Sequence, residues 1–187
     1  MPRVAHVKGI TFADAREFVV GRGGPEAWER LRAVVSPQDR ALLDEVIAMG
    51  WYELGAHARM LEAIPRALGL ETHTAMREFA RFAAQSHVSR VHRVFLRFAN
   101  PALILEKTGE YWSRFFDSGE WRVTRETPRR ARGDLLDFAE PAAIVCEFIT
   151  CYIEFLFMRV GAKEVRSSHP RCRVRGDALC TFLVDWK

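Results

Sequence analysis

The sequence of 187 residues lacks the short signatures through which most enzymes announce themselves. Its one glycine run, Gly21-Arg22-Gly23-Gly24, is not followed by the Gly-Lys-Ser/Thr whose lysine and hydroxyl would meet phosphate and magnesium, so it reads as a turn. No Gly-x-Ser-x-Gly elbow and no His-Glu-x-x-His pair occurs, and Glu147 and Glu154 are more simply carboxylates that meet arginine or solvent than an acid/base pair. An enzyme is therefore not expected. Uninterrupted apolar runs are also missing. The longest, Pro141 to Met158, carries Glu147 and Glu154, each costly at a bilayer centre, so it reads as a buried helix and no transmembrane segment is expected. Met1 to Gly9 holds Arg3 and Lys8 among few apolar residues, which does not resemble a secretory leader. Cysteine is scarce. Four in a chain of this size fit a reducing compartment better than a disulfide framework, and the expected location is cytoplasmic.

What is present is enough for one domain, 1–187: 49% apolar residues give material for a substantial core. The net charge of +4 comes from arginines scattered along helices as well as clustered near the C-terminus, not from one basic face, so no nucleic-acid partner is expected. Helical signals dominate residues 10–118. Asp14 to Val20 and Glu26 to Val34 flank the glycine run; Ser36-Pro37-Gln38-Asp39 is a capped helix start; Ala56 to Leu68 ends at Gly69; Thr72 or Thr74 caps a stretch reaching Phe98; and Asn100-Pro101 opens Ala102 to Asp117. After Gly119 the period changes. Glu120 to Arg125 alternates as a strand, Thr127 to Asp134 carries turn residues, Leu135 to Phe138 reads as a second strand, and the Pro141 helix follows. Lys163 to Ser167 then reads as a strand, and Arg171 to Arg175 with Leu179 to Trp186 as a hairpin around Gly176-Asp177. Helices first, then an antiparallel sheet over 119–187 with one buried helix inserted, define an α+β fold.

Two sets of residues carry candidate chemistry. His169-x-x-Cys172, followed after a turn by Cys180, supplies three soft ligands of the kind zinc favours, and the Pro141 helix offers a fourth in Cys146 or Cys151. Four protein ligands would leave no open position, which makes such a site structural. The competing readings are free thiols packed as small apolar groups and a disulfide. For a ligand pocket the candidates are His92, Trp112, Phe116, Phe148 and Tyr152, which combine aromatic surface with a few hydrogen-bonding atoms.

The closing segment H-P-R-C-R-V-R-G-D-A-L-C-T-F-L-V resembles the last hairpin of the 4-vinyl-reductase-type domain, in a superfamily shared with haem-nitric-oxide sensor domains and TRAPP vesicle-trafficking subunits. V-K-G-I-T-F with W-E-R-L looks like the start of the same superfamily, and with E-Y-W-S-R-F-F-D-S-G also like a group of uncharacterised bacterial proteins of about this length. The resemblance implies a zinc set of Cys146, His169, Cys172 and Cys180, with His169 standing where the pattern has a glutamate. It also implies an apolar pocket for a hydrophobic small molecule, aromatic or lipid-like, between helices and sheet. Output would pass through a homodimer or a signalling partner, since no output domain is visible. The haem-sensing relatives hold propionates with Tyr-x-Ser-x-Arg; that triplet is missing here, so no haem is expected, with neither His87 nor His92 as an axial ligand. The alternative from another class is a TRAPP-like interaction module, dimerising or scaffolding through a helical face.

Overall fold

The computed structural model describes residues 4–91 and 100–187, and side chains in the first span up to residue 86. The architecture is α+β. Strand β1 (His6–Lys8) leads into helix α1 (Ile10–Val34), then α2 (Pro37–Glu45), β2 (Trp51–Glu53), α3 (Leu54–Leu68), α4 (Thr72–Val91) and α5 (Pro101–Phe115). The second half holds β3 (Glu120–Thr127), β4 (Arg130–Leu136), α6 (Ala143–Arg159), β5 (Arg166–Arg171) and β6 (Cys180–Asp185). β1 and β2 form a small antiparallel pair, and the other four strands form an antiparallel sheet in the order β3-β4-β6-β5.

Helix boundaries follow local chemistry. Ser36 caps α2 by accepting the Asp39 backbone N–H, Asn100 caps α5 by accepting that of Leu103, and Gly69 closes α3 in the left-handed region. The glycine run does not form the turn its composition suggests. Only Gly24 leaves helical geometry (φ 76°, ψ 175°), and α1 resumes at Pro25 as a kinked helix. Gly23 stays helical, and the missing side chain leaves room for α3: a Cβ there would meet Ala27 Cβ and Leu68 Cδ2 at 2.8 Å.

Two sheet assignments are corrected. β4 spans Arg130–Leu136, through most of the stretch read as a turn, because Ala131, Gly133 and Leu135 alternate inward and pair with Val184, Phe182 and Cys180 of β6. Residues Arg173–Arg175 form a short 3₁₀ turn instead of a hairpin arm; Cys172 carbonyl accepts from Arg175 and Asp177 N–H, drawing the chain into a loop.

Helix α6 is the centre of the molecule. It lies against α4 on one side and against β5 and β6 on the other, and its side chains are apolar almost all round. The main core joins α1, α3 and α4 to the inner face of the sheet through Phe79, Phe138, Ile149 and Phe182, while a smaller cluster of Phe157, Val165, Val184 and Trp186 closes the far end.

Candidate metal clasp and aromatic site

Cys146 and Cys151 are five positions apart on α6, about 140° apart around its axis, so they face different neighbours. The structure turns Cys146 to the sheet. There it meets Cys180 Sγ at 4.0 Å and Cys172 Sγ at 3.9 Å, and with His169 the four ligand atoms lie within 4.8 Å of one another. Cys146, Cys172 and Cys180 are buried. Those sulfur separations compare with about 3.8 Å along the edge of a tetrahedron whose metal–sulfur bonds are about 2.3 Å.

The surrounding residues brace this geometry. Gly176, at φ 95°, takes the left-handed turn, and the Asp177 carboxylate accepts the Cys172 N–H at 2.7 Å. Arg173 donates its N–H to Cys180 Sγ at 3.5 Å and its guanidinium to the Phe138 carbonyl. The His169 ring stacks on Phe182 with centroids 4.3 Å apart, and among the described residues its buried Nε2 has no hydrogen-bond partner. Hydrogen bonding from Cys146, then from His169 and the Arg173 N–H, holds the Cys180 thiol well below its ordinary range, while the same contact with burial pushes Cys146 up. Three sulfurs and an imidazole nitrogen make a donor set suited to a thiophilic cation.

The aromatic candidates divide into two groups. Trp112 of α5 and Phe116, just past its end, stack at 4.1 Å, and Trp112 leads through Trp121 (5.5 Å) and Phe182 (5.3 Å from Trp121) to His169. Trp112 Nε1 donates to the Ser118 carbonyl. Phe148 and Tyr152 sit together on the helical side of α6, where Phe148 stacks on Phe79 at 5.0 Å. His92 lies outside the described residues, as does His87 for its side chain. Sequence reasoning missed Asp14, a buried acid on α1; burial first, then the Asp14 carboxylate and the Tyr111 phenol, push the Tyr152 hydroxyl upward. The only signal for Asp14 was an acid inside an otherwise apolar helical face. Between α5, α6 and the sheet, lined by Leu105, Trp121, Val123, Phe157 and Phe182, lies a cavity of about 30 Å³.

The remaining histidines are also placed. His6 bonds Asp117, His73 bonds Glu147 at 2.5 Å, and His57 on α3 is enclosed with its ring edge-on to Phe12; neither of its nitrogens has a partner among the described residues.

No protein-family model and no curated protein matches the chain. Solved structures do match in fold. An H-NOX protein from S. oneidensis in the Fe(II) ligation state, carried as a triple mutant, superimposes with a TM-score of 0.74 at 16% identity, covering 96% of each chain. An Fe(II) unliganded H-NOX protein from K. algicida gives 0.70 at 11% identity, again over 96% of each chain. A structure described as "Probing the function of heme distortion in the H-NOX family" gives 0.70 at 11% identity over 96% of this chain and 95% of that one. The class defined here is the H-NOX fold, and at these identities the likeness is one of fold. It overturns the expectation that haem is foreign to this chain: a missing Tyr-x-Ser-x-Arg triplet is no ground for excluding it on a fold whose solved examples hold Fe(II). Zinc, named beside that exclusion, has behind it the Cys146–His169–Cys172–Cys180 cluster and no further support.

Proposed function

We propose that this chain is a non-catalytic, single-domain small-molecule sensor in which a metal clasp keeps α6 on the sheet and the ligand site opens between the helical layer and the sheet. The observation that carries the sensing role is the H-NOX fold over 96% of the chain with a TM-score of 0.74. One local feature supports it: Trp112 on α5 with Phe116 just past its end, and Phe148 with Tyr152 on α6, present aromatic surface with the Tyr152 hydroxyl as a polar group. Hydrophobic small molecules with one hydroxyl or carbonyl, aromatic or lipid-like, suit such a lining. Binding would enlarge a packed space, since pockets for ligands of that size measure roughly 300–1,000 Å³.

Haem is the other ligand class that the fold brings forward. Among the four described imidazoles, His6 bonds Asp117, His73 bonds Glu147, His169 lies in the cysteine cluster and His57 is enclosed, and no step is routed through haem. The clasp is supported by the sulfur spacing and the orphaned Nε2 of His169. Its four protein ligands leave no position for substrate, which makes its metal, of the zinc class, a structural one. The hairpin resemblance to 4-vinyl-reductase-type domains agrees with that set.

A second reading, a TRAPP-like interaction module working as a homodimer, draws on Ile47, Met49 and Trp51, which stand exposed together around β2. The test is ligand-induced stabilisation of the purified chain with a panel of phenols, fatty acids and haem, read beside its mass in solution. Saturable stabilisation by one class, lost in Tyr152→Phe or Trp112→Ala, is expected. No stabilisation by any class together with concentration-dependent dimerisation would replace the sensor with the interaction module. Among the described residues no helix is long and apolar enough to cross a membrane.

A further inference from the structure

The face of α6 turned away from the clasp carries a second cluster. Glu147 and Cys151 are one helical turn apart and project to the same side, towards the first turn of α4, where His73 stands. The ligand atoms of His73, Glu147 and Cys151 lie within 4.8 Å of one another, and His73 Nδ1 is 2.5 Å from Glu147 Oε1. Cys151 is 3% exposed and forms the floor; the His73 side chain, 60% exposed, forms the open side. Arg77, a turn further along α4, is held by Glu154 at 2.6 Å, an acid outside the cluster.

An imidazole, a carboxylate and a thiol on two packed helices make a borderline-soft donor set, suited to zinc or cobalt(II) and poorly suited to magnesium or calcium. The charges close. Glu147 and the Cys151 thiolate balance a divalent ion, neutral His73 adds its lone pair, and one proton leaves Cys151 for solvent. The His73–Glu147 hydrogen bond is exchanged for two bonds to the ion. Three protein ligands leave the fourth position to water, so this site differs in kind from the closed clasp on the opposite face of the same helix.

We propose that His73, Glu147 and Cys151 form an exchangeable site for a zinc-class divalent cation at the seam between α4 and α6. Its occupancy crosslinks a helix of the first half of the fold to α6, and the open side lets the ion come and go with its free concentration. This inference does not depend on the clasp being metallated or on the sensing role.

The test is an anaerobic cobalt(II) and zinc titration of the full chain, followed by visible absorption and by metal content after desalting, on the native protein and the variants His73→Ala, Cys151→Ser and Cys172→Ser. The native chain is expected to show an equivalent with single-thiolate character that survives Cys172→Ser and is weakened about a hundredfold or more in His73→Ala and Cys151→Ser, since even residues behind metal ligands cost about 10–100-fold. His73 is exposed, so its variant keeps the comparison valid if Cys151→Ser fails to fold. Unchanged uptake in His73→Ala overturns the site, as does a single equivalent that Cys172→Ser abolishes. A single equivalent that survives Cys172→Ser and is lost in His73→Ala upholds this site and removes the clasp.

Discussion

His57 and Asp39 show how one residue can set a pH limit on this fold. Burial drives His57 down to about 3, with both ring nitrogens unpartnered among the described residues, so the native state holds it neutral. The unfolded chain protonates it near 6.5, and stability is therefore fully present above that value and lost as pH falls from about 6.5 towards 3, at about 1.4 kcal/mol per pH unit at most. His57→Leu is expected to fold at pH 7 without penalty, because it removes two unsatisfied polar atoms, and to flatten the acid limb of the unfolding free energy by close to one proton. Denaturant titrations from pH 7 to 4 measure this. Asp39 behaves in the same direction for the opposite reason. Its carboxylate accepts the Arg59 guanidinium through two bonds, 2.8 and 2.7 Å, and the Ser36 hydroxyl, and Arg59 foremost holds it below the usual carboxylate range. That stability is present above about pH 4 and lost as pH falls through the lowered value. Arg59 is half-exposed, so Arg59→Met should cost only about 1 kcal/mol at pH 7, with the difference from the native protein vanishing at lower pH.

At the scale of elements, α1 and α6 carry the fold in different ways. Gly24 gives α1 its kink at a positive φ, and a Cβ there would meet the Glu26 carboxylate at 2.6 Å. Gly24→Ala is expected to cost about 1 kcal/mol or more, whereas Gly21→Ala, helical and with open space, should be neutral or stabilising; thermal melts of the two variants separate a kink from a turn. The sequence made the existence of these helices legible through Ser36, Asn100 and Gly69, whose side chains or conformations act locally. It did not reveal that Gly21 and Gly23 remain helical, nor that α3 approaches α1 at Gly23, a contact distant in the chain. The same limit applies to β4. Arg130 and Arg132 read as turn residues until β6 supplies Phe182 and Val184 opposite the inward-facing Gly133 and Ala131. For α6, periodicity put Cys146 and Cys151 on different faces, but only the packing of α4 on one side and the sheet on the other says what each one meets. The hairpin resemblance chose Cys146, the cysteine that the structure places with Cys172 and Cys180. His73, 74 positions from Glu147, had no local signal at all.

On the scale of the whole molecule, α6 is where the two halves of the fold act on each other. Its sheet side presents Cys146 to a loop and strand that are otherwise joined to it by β5 and by Ser167, which donates to the Thr150 carbonyl at 2.7 Å and to Glu154. If the clasp binds metal in the native state only, saturation at about a thousand times the dissociation constant adds about 4 kcal/mol of stability. For a chain of this size that corresponds to roughly 8–16 °C in melting temperature. Chelation of the purified protein should therefore lower its melting temperature by that order, reversibly on adding zinc, and Cys180→Ser should start at the lowered value and ignore the chelator. The aromatic series from His169 through Phe182 and Trp121 to Trp112 makes the consequence extend beyond the clasp, because releasing His169 frees the ring on which Phe182 stacks and loosens the walls of the space beside α5. Tryptophan fluorescence should follow the chelator titration with the same midpoint as the metal loss. A melting temperature and a fluorescence spectrum both indifferent to chelation, in protein shown to have contained metal, would confine the clasp to its own hairpin and separate it from the ligand site.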